Sequence, residues 1–136
     1  MIDKEIIRIA SNTDNHGTLD NHTHFSKLKN SICGDNMKIY LIVENNKITN
    51  FKYECESCIY CQASVSLLSR KSKNKSIKKV KNFAQQANCY FDKSANSFDK
   101  EWKGFDKIMT KKNIARKECL LLPINTMLDA LSKKSL

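Results

Sequence analysis

At 136 residues, with 40% hydrophobic and 28% charged residues, the chain has the size and make-up of one folded domain, residues 1–136, and not of a disordered tail. Its opening MIDKEIIRIASN interleaves charges with isoleucines and lacks the uninterrupted apolar core of a secretory signal, and no run approaches bilayer length, so neither a signal nor a membrane span is expected. A cytoplasmic or equally reducing compartment is therefore expected, and there the six cysteines call for a chemical use other than disulfides.

Residues 1–24 are expected to be partly flexible: Ile6, Ile7 and Ala10 allow a short amphipathic helix over 3–10, and the polar stretch 11–24, which holds all three histidines, reads as loop. Two runs rich in Ile, Val, Tyr and Phe follow, residues 37–44 and 47–54, separated by Asn45-Asn46. That pattern predicts a β-hairpin. A helix is predicted beyond it through Ala63, Val65, Leu67 and Leu68. Others are expected over 76–88, with Ile77, Val80, Phe83, Ala84 and Ala87 as its stripe, and over 97–109, with Phe98, Trp102, Phe105, Ile108 and Met109. The final segment, from about Ile114 to Ser132, is helical in pattern, with Pro123 expected to kink it or begin a new first turn. A hairpin followed by helices is an α+β arrangement: a small antiparallel sheet packed against several C-terminal helices.

The net charge of +10 is concentrated in the lysine-rich run 71–81, which has no aromatic residue for stacking on bases; a solvated helix face is its simplest reading and nucleic acid is not the expected partner. A basic face there would suit an acidic protein, with Lys73, Lys75, Lys78 and Lys79 as its contacts.

The cysteines carry more information. Cys33 precedes the first strand of the hairpin and Cys58 follows the second, so the outer ends of the hairpin bring the two together. Cys119, at the start of the last helical segment, completes a cluster if that helix packs alongside. In NSICGD, residues 30–35, Gly34 permits a sharp turn between Cys33 and Asp35, so a thiolate and a carboxylate approach one metal from a tight loop. Soft and hard donors together suit a site that releases what it holds better than a closed structural zinc site.

These strings resemble the IscU/NifU/SufU family of iron–sulfur cluster assembly scaffolds, a fold of the SufE/NifU-like kind. NSICGD is similar to the family's Asn-Pro-x-Cys-Gly-Asp element, with Ser31 in place of proline. CIYCQASVS, residues 58–66, resembles its Cys-x4-Ala-Ser-x-Ser element, and RKECLLLP, residues 116–123, its closing Arg-x-x-Cys-x-x-Leu segment. The SufU-like branch is the nearer one: sixty residues separate Cys58 from Cys119, room for an extra helical insertion, and Arg116 stands three before Cys119. The Leu-Pro-Pro-Val-Lys string and the histidine before the last cysteine that mark IscU are missing; Glu118 occupies that place.

The resemblance implies a scaffold that accepts sulfur from a pyridoxal-phosphate cysteine desulfurase and passes it, with iron or as a transient Fe–S cluster, to acceptor or carrier proteins. It implies Cys33, Asp35, Cys58 and Cys119 as metal ligands, with zinc as the resting metal in SufU-like relatives. Cys33 is the expected persulfide acceptor and Cys119 the alternative, with Arg116 and Lys117 beside Cys119 as cations favouring an anionic sulfur. A zinc-dependent sulfurtransferase is one alternative; a zinc-ribbon nucleic-acid-binding protein is another. Cys55, Cys58 and Cys61 form Cys-x2-Cys-x2-Cys, but the Cys-Pro that closes the ferredoxin motif is absent, so Cys55 and Cys61 are expected to fill space or offer spare thiols and Cys89 to lie in the core of its helix. His22 and His24 are read as exposed, and Trp102 and Phe105 as core.

Overall fold

Asn45 and Asn46 both adopt left-handed backbone, φ 53° and 61°, the pair of conformations that a two-residue hairpin turn requires and that asparagine tolerates. Around them the computed structural model, which describes residues 3–30, 34–91 and 98–133, folds strands β2 (Asn36–Glu44) and β3 (Lys47–Glu56) into the predicted hairpin. Asn36 faces Glu56 and Met37 faces Cys55, with a bulge opposite Ile42 and Val43. A third strand, β1 (His24–Lys29), pairs antiparallel with β2, giving the order β1-β2-β3.

The hydrophobic alternation of the hairpin drives Met37, Ile39, Leu41, Ile48, Phe51 and Tyr53 onto one face of the sheet, where they are buried under the helices. β1 lacks that alternation: its buried inward residue, Ser26, donates its hydroxyl to Asp129 of the last helix. The expected loop ends at His24 and no element is expected over residues 25–29; the strand escapes a reading based on apolar periodicity because its packing is partly polar.

Helix α1 (Lys4–Ala10) is capped by Asp3, whose carboxylate accepts from the Glu5 N–H at 2.9 Å, and it buries Ile6, Ile9 and Ala10 against α2 (Ile59–Ser72). The α2 helix is central, packed against α1, α5 and β3 and buried almost all round. Its serines survive burial because each has a partner: Ser64 Oγ donates to the Leu120 carbonyl at 2.6 Å, Ser66 Oγ to the Asn12 carbonyl at 2.7 Å, and Ser69 Oγ accepts from Asn15 at 3.0 Å. These bonds tie the N-terminal segment and the last helix to the same scaffold.

Helix α3 (Ile77–Tyr90), capped by Ser76, buries Val80, Phe83, Ala84 and Ala87 as predicted. Cys89 is exposed, not core, because it lies two residues beyond Ala87 and so turns away from the buried stripe. The helix predicted over 97–109 is replaced by a 3-10 turn (Lys100–Trp102) and the short α4 (Phe105–Ile108). Gly104, at φ 110° and with Leu67 a projected 3.0 Å from any added Cβ, breaks the segment. Its apolar residues are nonetheless buried: Phe83 stacks on Trp102, ring centroids 4.0 Å apart, and lies 4.7 Å from Phe105 and 5.4 Å from Phe98.

A second 3-10 turn (Lys111–Arg116) leads into α5 (Lys117–Ser132), which runs on through Pro123 without a new start. Proline has no N–H for the Cys119 carbonyl, and Ser64 reinforces the next carbonyl along, that of Leu120. Much of the lysine-rich run is engaged within the chain. Lys73 Nζ donates to Asn15 Oδ1, Lys75 Nζ lies 5.0 Å over the Trp102 ring, and Lys79 pairs with Glu101 at 3.0 Å, which leaves Lys78 and Lys81 the more open positions. Among the described residues no helix is long and apolar enough to cross a membrane.

Candidate metal centre

The outer end of the hairpin, the start of α2 and the start of α5 meet at one corner. Asp35 stands one residue before β2, in a turn closed by hydrogen bonds from the Gly34 N–H to the Asn30 carbonyl (2.7 Å) and from the Asn30 N–H to the Asp35 carbonyl (2.8 Å). Gly34 at φ 74° supplies the left-handed step that this turn needs. Cys33, the expected persulfide acceptor and ligand, lies outside the described residues.

Asp35 is 5% exposed. One carboxylate oxygen, Oδ1, accepts the Cys58 N–H at 3.1 Å; the other, Oδ2, is buried and finds no donor among the described residues. A buried carboxylate oxygen left without a donor is costly unless a cation meets it. Cys58 is the N-cap of α2 in extended backbone, φ −70° and ψ 167°, and its side chain makes no capping bond, so its sulfur is not committed to the helix. Cys119, third residue of α5, is 1% exposed.

A carboxylate oxygen of Asp35 and the sulfurs of Cys58 and Cys119 lie within 4.8 Å of one another, a spacing that could hold a metal ion. Three elements contribute one donor each, which is the convergence the sequence pattern predicts for this trio. Two sulfurs with one oxygen suit zinc or iron and leave room for further ligands. The orphaned Asp35 oxygen fits such an occupant.

The Arg116 guanidinium carbon lies 5.3 Å over the ring of Tyr60, in the first turn of α2. That contact clasps the start of α5 to the start of α2, the two elements that deliver Cys119 and Cys58. Cys55 and Cys61 stand outside the three-donor group. Burial pushes the Cys61 thiol far up and raises that of Cys55, while the Ser57 hydroxyl opposes both shifts and the charge of Asp35 adds to them. His22 is exposed, with its Nδ1 2.7 Å from the Leu19 carbonyl, whereas His24, expected to be exposed, is half-buried as the first residue of β1, its Nδ1 2.8 Å from Thr23 Oγ1; neither joins a metal cluster among the described residues.

The sequence model of the NifU-like N terminal domain matches residues 1–90, two-thirds of the chain. The chain belongs to the NifU-like family. This is the family of the IscU, NifU and SufU scaffolds for iron–sulfur cluster assembly. The chain is 28% identical over 136 residues to the iron–sulfur cluster assembly scaffold protein IscU of Thermotoga maritima, covering 99% of this chain and 95% of that one. It is 31% identical over 132 residues to an uncharacterized protein of Borreliella burgdorferi, covering 94% and 87%. Its fold is that of the N-terminal NifU-like protein of Brucella abortus (TM-score 0.89, 18% identity, 96% of this chain and 91% of that). It is also that of a putative scaffold protein for the SUF system from Fervidobacterium islandicum (TM-score 0.87, 23% identity, 96% of each). Those two likenesses speak to the α+β fold of this NifU-like chain.

Proposed function

We propose that this NifU-like protein takes sulfur as persulfide from a pyridoxal-phosphate cysteine desulfurase and holds it, with iron, as a transient Fe–S cluster at Cys33, Asp35, Cys58 and Cys119, for delivery to acceptor proteins. The observation that carries the reading is the buried Asp35 carboxylate, one oxygen unmet, within 4.8 Å of two sulfurs brought from α2 and α5. A scaffold needs donors assembled before its cargo arrives, and it needs one of them weak enough to let go.

In the transfer step an acceptor thiolate attacks the outer sulfur of the donor persulfide; the new S–S bond forms as the old one breaks, and the desulfurase cysteine leaves as thiolate. Cys33 is the acceptor in this reading, with Cys119 the alternative. Cys119, 1% exposed, is poorly placed to meet another protein without movement of α5, which favours Cys33 as acceptor. Arg116 acts as a positioning residue through its clasp on Tyr60. The carboxylate of Asp35 is a hard donor among soft ones and so keeps the bound metal exchangeable.

Zinc is the proposed resting metal, as in the SufU-like branch, and it would supply a fixed positive charge that holds the thiols as thiolates. The two-sulfur, one-oxygen donor set also suits a zinc-dependent sulfurtransferase, which differs in cargo alone. Anaerobic incubation with a cysteine desulfurase, cysteine, ferrous iron and dithionite, which supplies the two electrons per sulfur that turn sulfane sulfur into sulfide, followed by iron and sulfide analysis, tests the scaffold reading. Protein-bound iron and acid-labile sulfide, lost together in Cys58→Ser and Cys119→Ser, are expected. Persulfide without bound iron would support the sulfurtransferase instead.

A further inference from the structure

Cys55, Cys61 and Cys89 have no part in the reading above. Cys61 is fully buried in α2 and Cys89 is exposed on α3. Cys55 differs from both. It is half-buried near the end of β3 and lines two neighbouring cavities, of about 330 Å³ and about 180 Å³. The lining residues common to both cavities are Cys55 and His16.

The fold holds His16 there by backbone bonds. The Gly17 N–H donates to the Tyr53 carbonyl at 2.8 Å and the Tyr53 N–H to the Asn15 carbonyl at 3.2 Å, a parallel bridge on the free edge of β3. The imidazole stands edge-on to the Tyr53 ring, centroids 5.5 Å apart. Lys27 and Lys38 line the larger cavity with Glu54 and Glu56, two cations against two carboxylates. Beside Cys55, Ser57 Oγ is buried with no nitrogen or oxygen partner, and its hydroxyl bears on the thiols of Cys55 and Cys61. A nucleophilic sulfur and an imidazole thus border the same two cavities.

We infer that Cys55 is a second sulfane-sulfur acceptor, loaded through the cavities at the β3 edge by small inorganic polysulfide anions, with His16 as its proton acceptor. The Cys55 thiol gives its proton to the imidazole and the sulfur attacks the terminal sulfur of the polysulfide. One S–S bond forms and the adjacent one breaks, its electron pair leaving with the shortened polysulfide. No outside oxidant enters, because the transferred sulfur arrives already at the sulfane level. Burial raises the Cys55 thiol above its usual range, which makes a base on the same wall necessary at neutral pH. The route needs neither desulfurase nor metal.

The test treats the full chain anaerobically with sodium tetrasulfide, with and without prior loading by Zn2+, then blocks thiols and maps added sulfur by tandem mass spectrometry. Sulfur on Cys55 is expected in both conditions, absent in Cys55→Ser and retained in Cys61→Ser and Cys89→Ser. His16→Gln should slow the labelling of Cys55 by roughly tenfold or more while leaving zinc stoichiometry unchanged. Labelling of Cys55→Ser at the wild-type level, or sulfur found only on other cysteines or on none, would overturn the inference. Failure of Zn2+ to bind would count against the metal centre alone, since the label on Cys55 is read without it.

Discussion

Two corners of the molecule are assembled from distant segments by opposite means. At one, Phe83, Phe98, Trp102 and Phe105 close an apolar corner by ring packing, with Trp102 3% exposed and Phe105 fully buried. At the other, Asp35, Cys58 and Cys119 are brought equally close, yet the carboxylate is left with an oxygen that no donor meets. The first corner gains free energy from every contact as the chain folds. The second forgoes some, and recovers it when a cation enters. Burial alone therefore does not distinguish core from site; an unmet carboxylate oxygen beside two sulfurs does.

The largest effect expected on either side comes from the aromatic corner. Trp102→Ala should lower the unfolding free energy by about 3–5 kcal/mol in urea titration, with zinc stoichiometry of the folded protein unchanged. Asp35→Asn should do the reverse. It keeps an acceptor for the Cys58 N–H but removes the buried charge, so the metal-free protein should be as stable as wild type or more so. Its zinc affinity in a chelator competition should fall by more than the roughly tenfold to hundredfold typical of losing an outer-shell partner. Gly104→Ala, which forces a left-handed alanine against Leu67, should cost about 1–3 kcal/mol by the same titration and leave the metal centre intact.

The smallest effect concerns the sheet that carries the site. Burial raises Tyr53 from 10.0 to about 12, so its contribution to stability is fully present below pH 10 and is lost as pH rises through about 12. Urea midpoints measured across that window should fall less steeply for Tyr53→Phe than for wild type. An equal slope would mean that Tyr53 ionises as freely in the folded chain as in the unfolded one.

Much of this arrangement was legible in the sequence. Asn45-Asn46 between two β-branched runs announced the hairpin, and the hairpin explained why Asp35 and Cys58, 23 residues apart, share a hydrogen bond. The apolar residues of 98–109 were recognisable as core although their helix was not, since burial follows side-chain type while continuity depended on the left-handed backbone of Gly104. Strand β1 was hidden because Ser26 finds its partner, Asp129, 103 residues away. The exposure of Cys89, the unmet oxygen of Asp35 and the cavities beside Cys55 depend on what stands opposite each residue in space, which no local pattern encodes.

Zinc K-edge X-ray absorption on the zinc-loaded protein interrogates the donor set itself. A mixed shell is predicted, sulfur at about 2.3 Å with oxygen at about 2.0–2.2 Å, the oxygen contribution changing in Asp35→Asn and the sulfur count falling in Cys58→Ser and Cys119→Ser. A shell indifferent to those three substitutions would contradict the account at its centre.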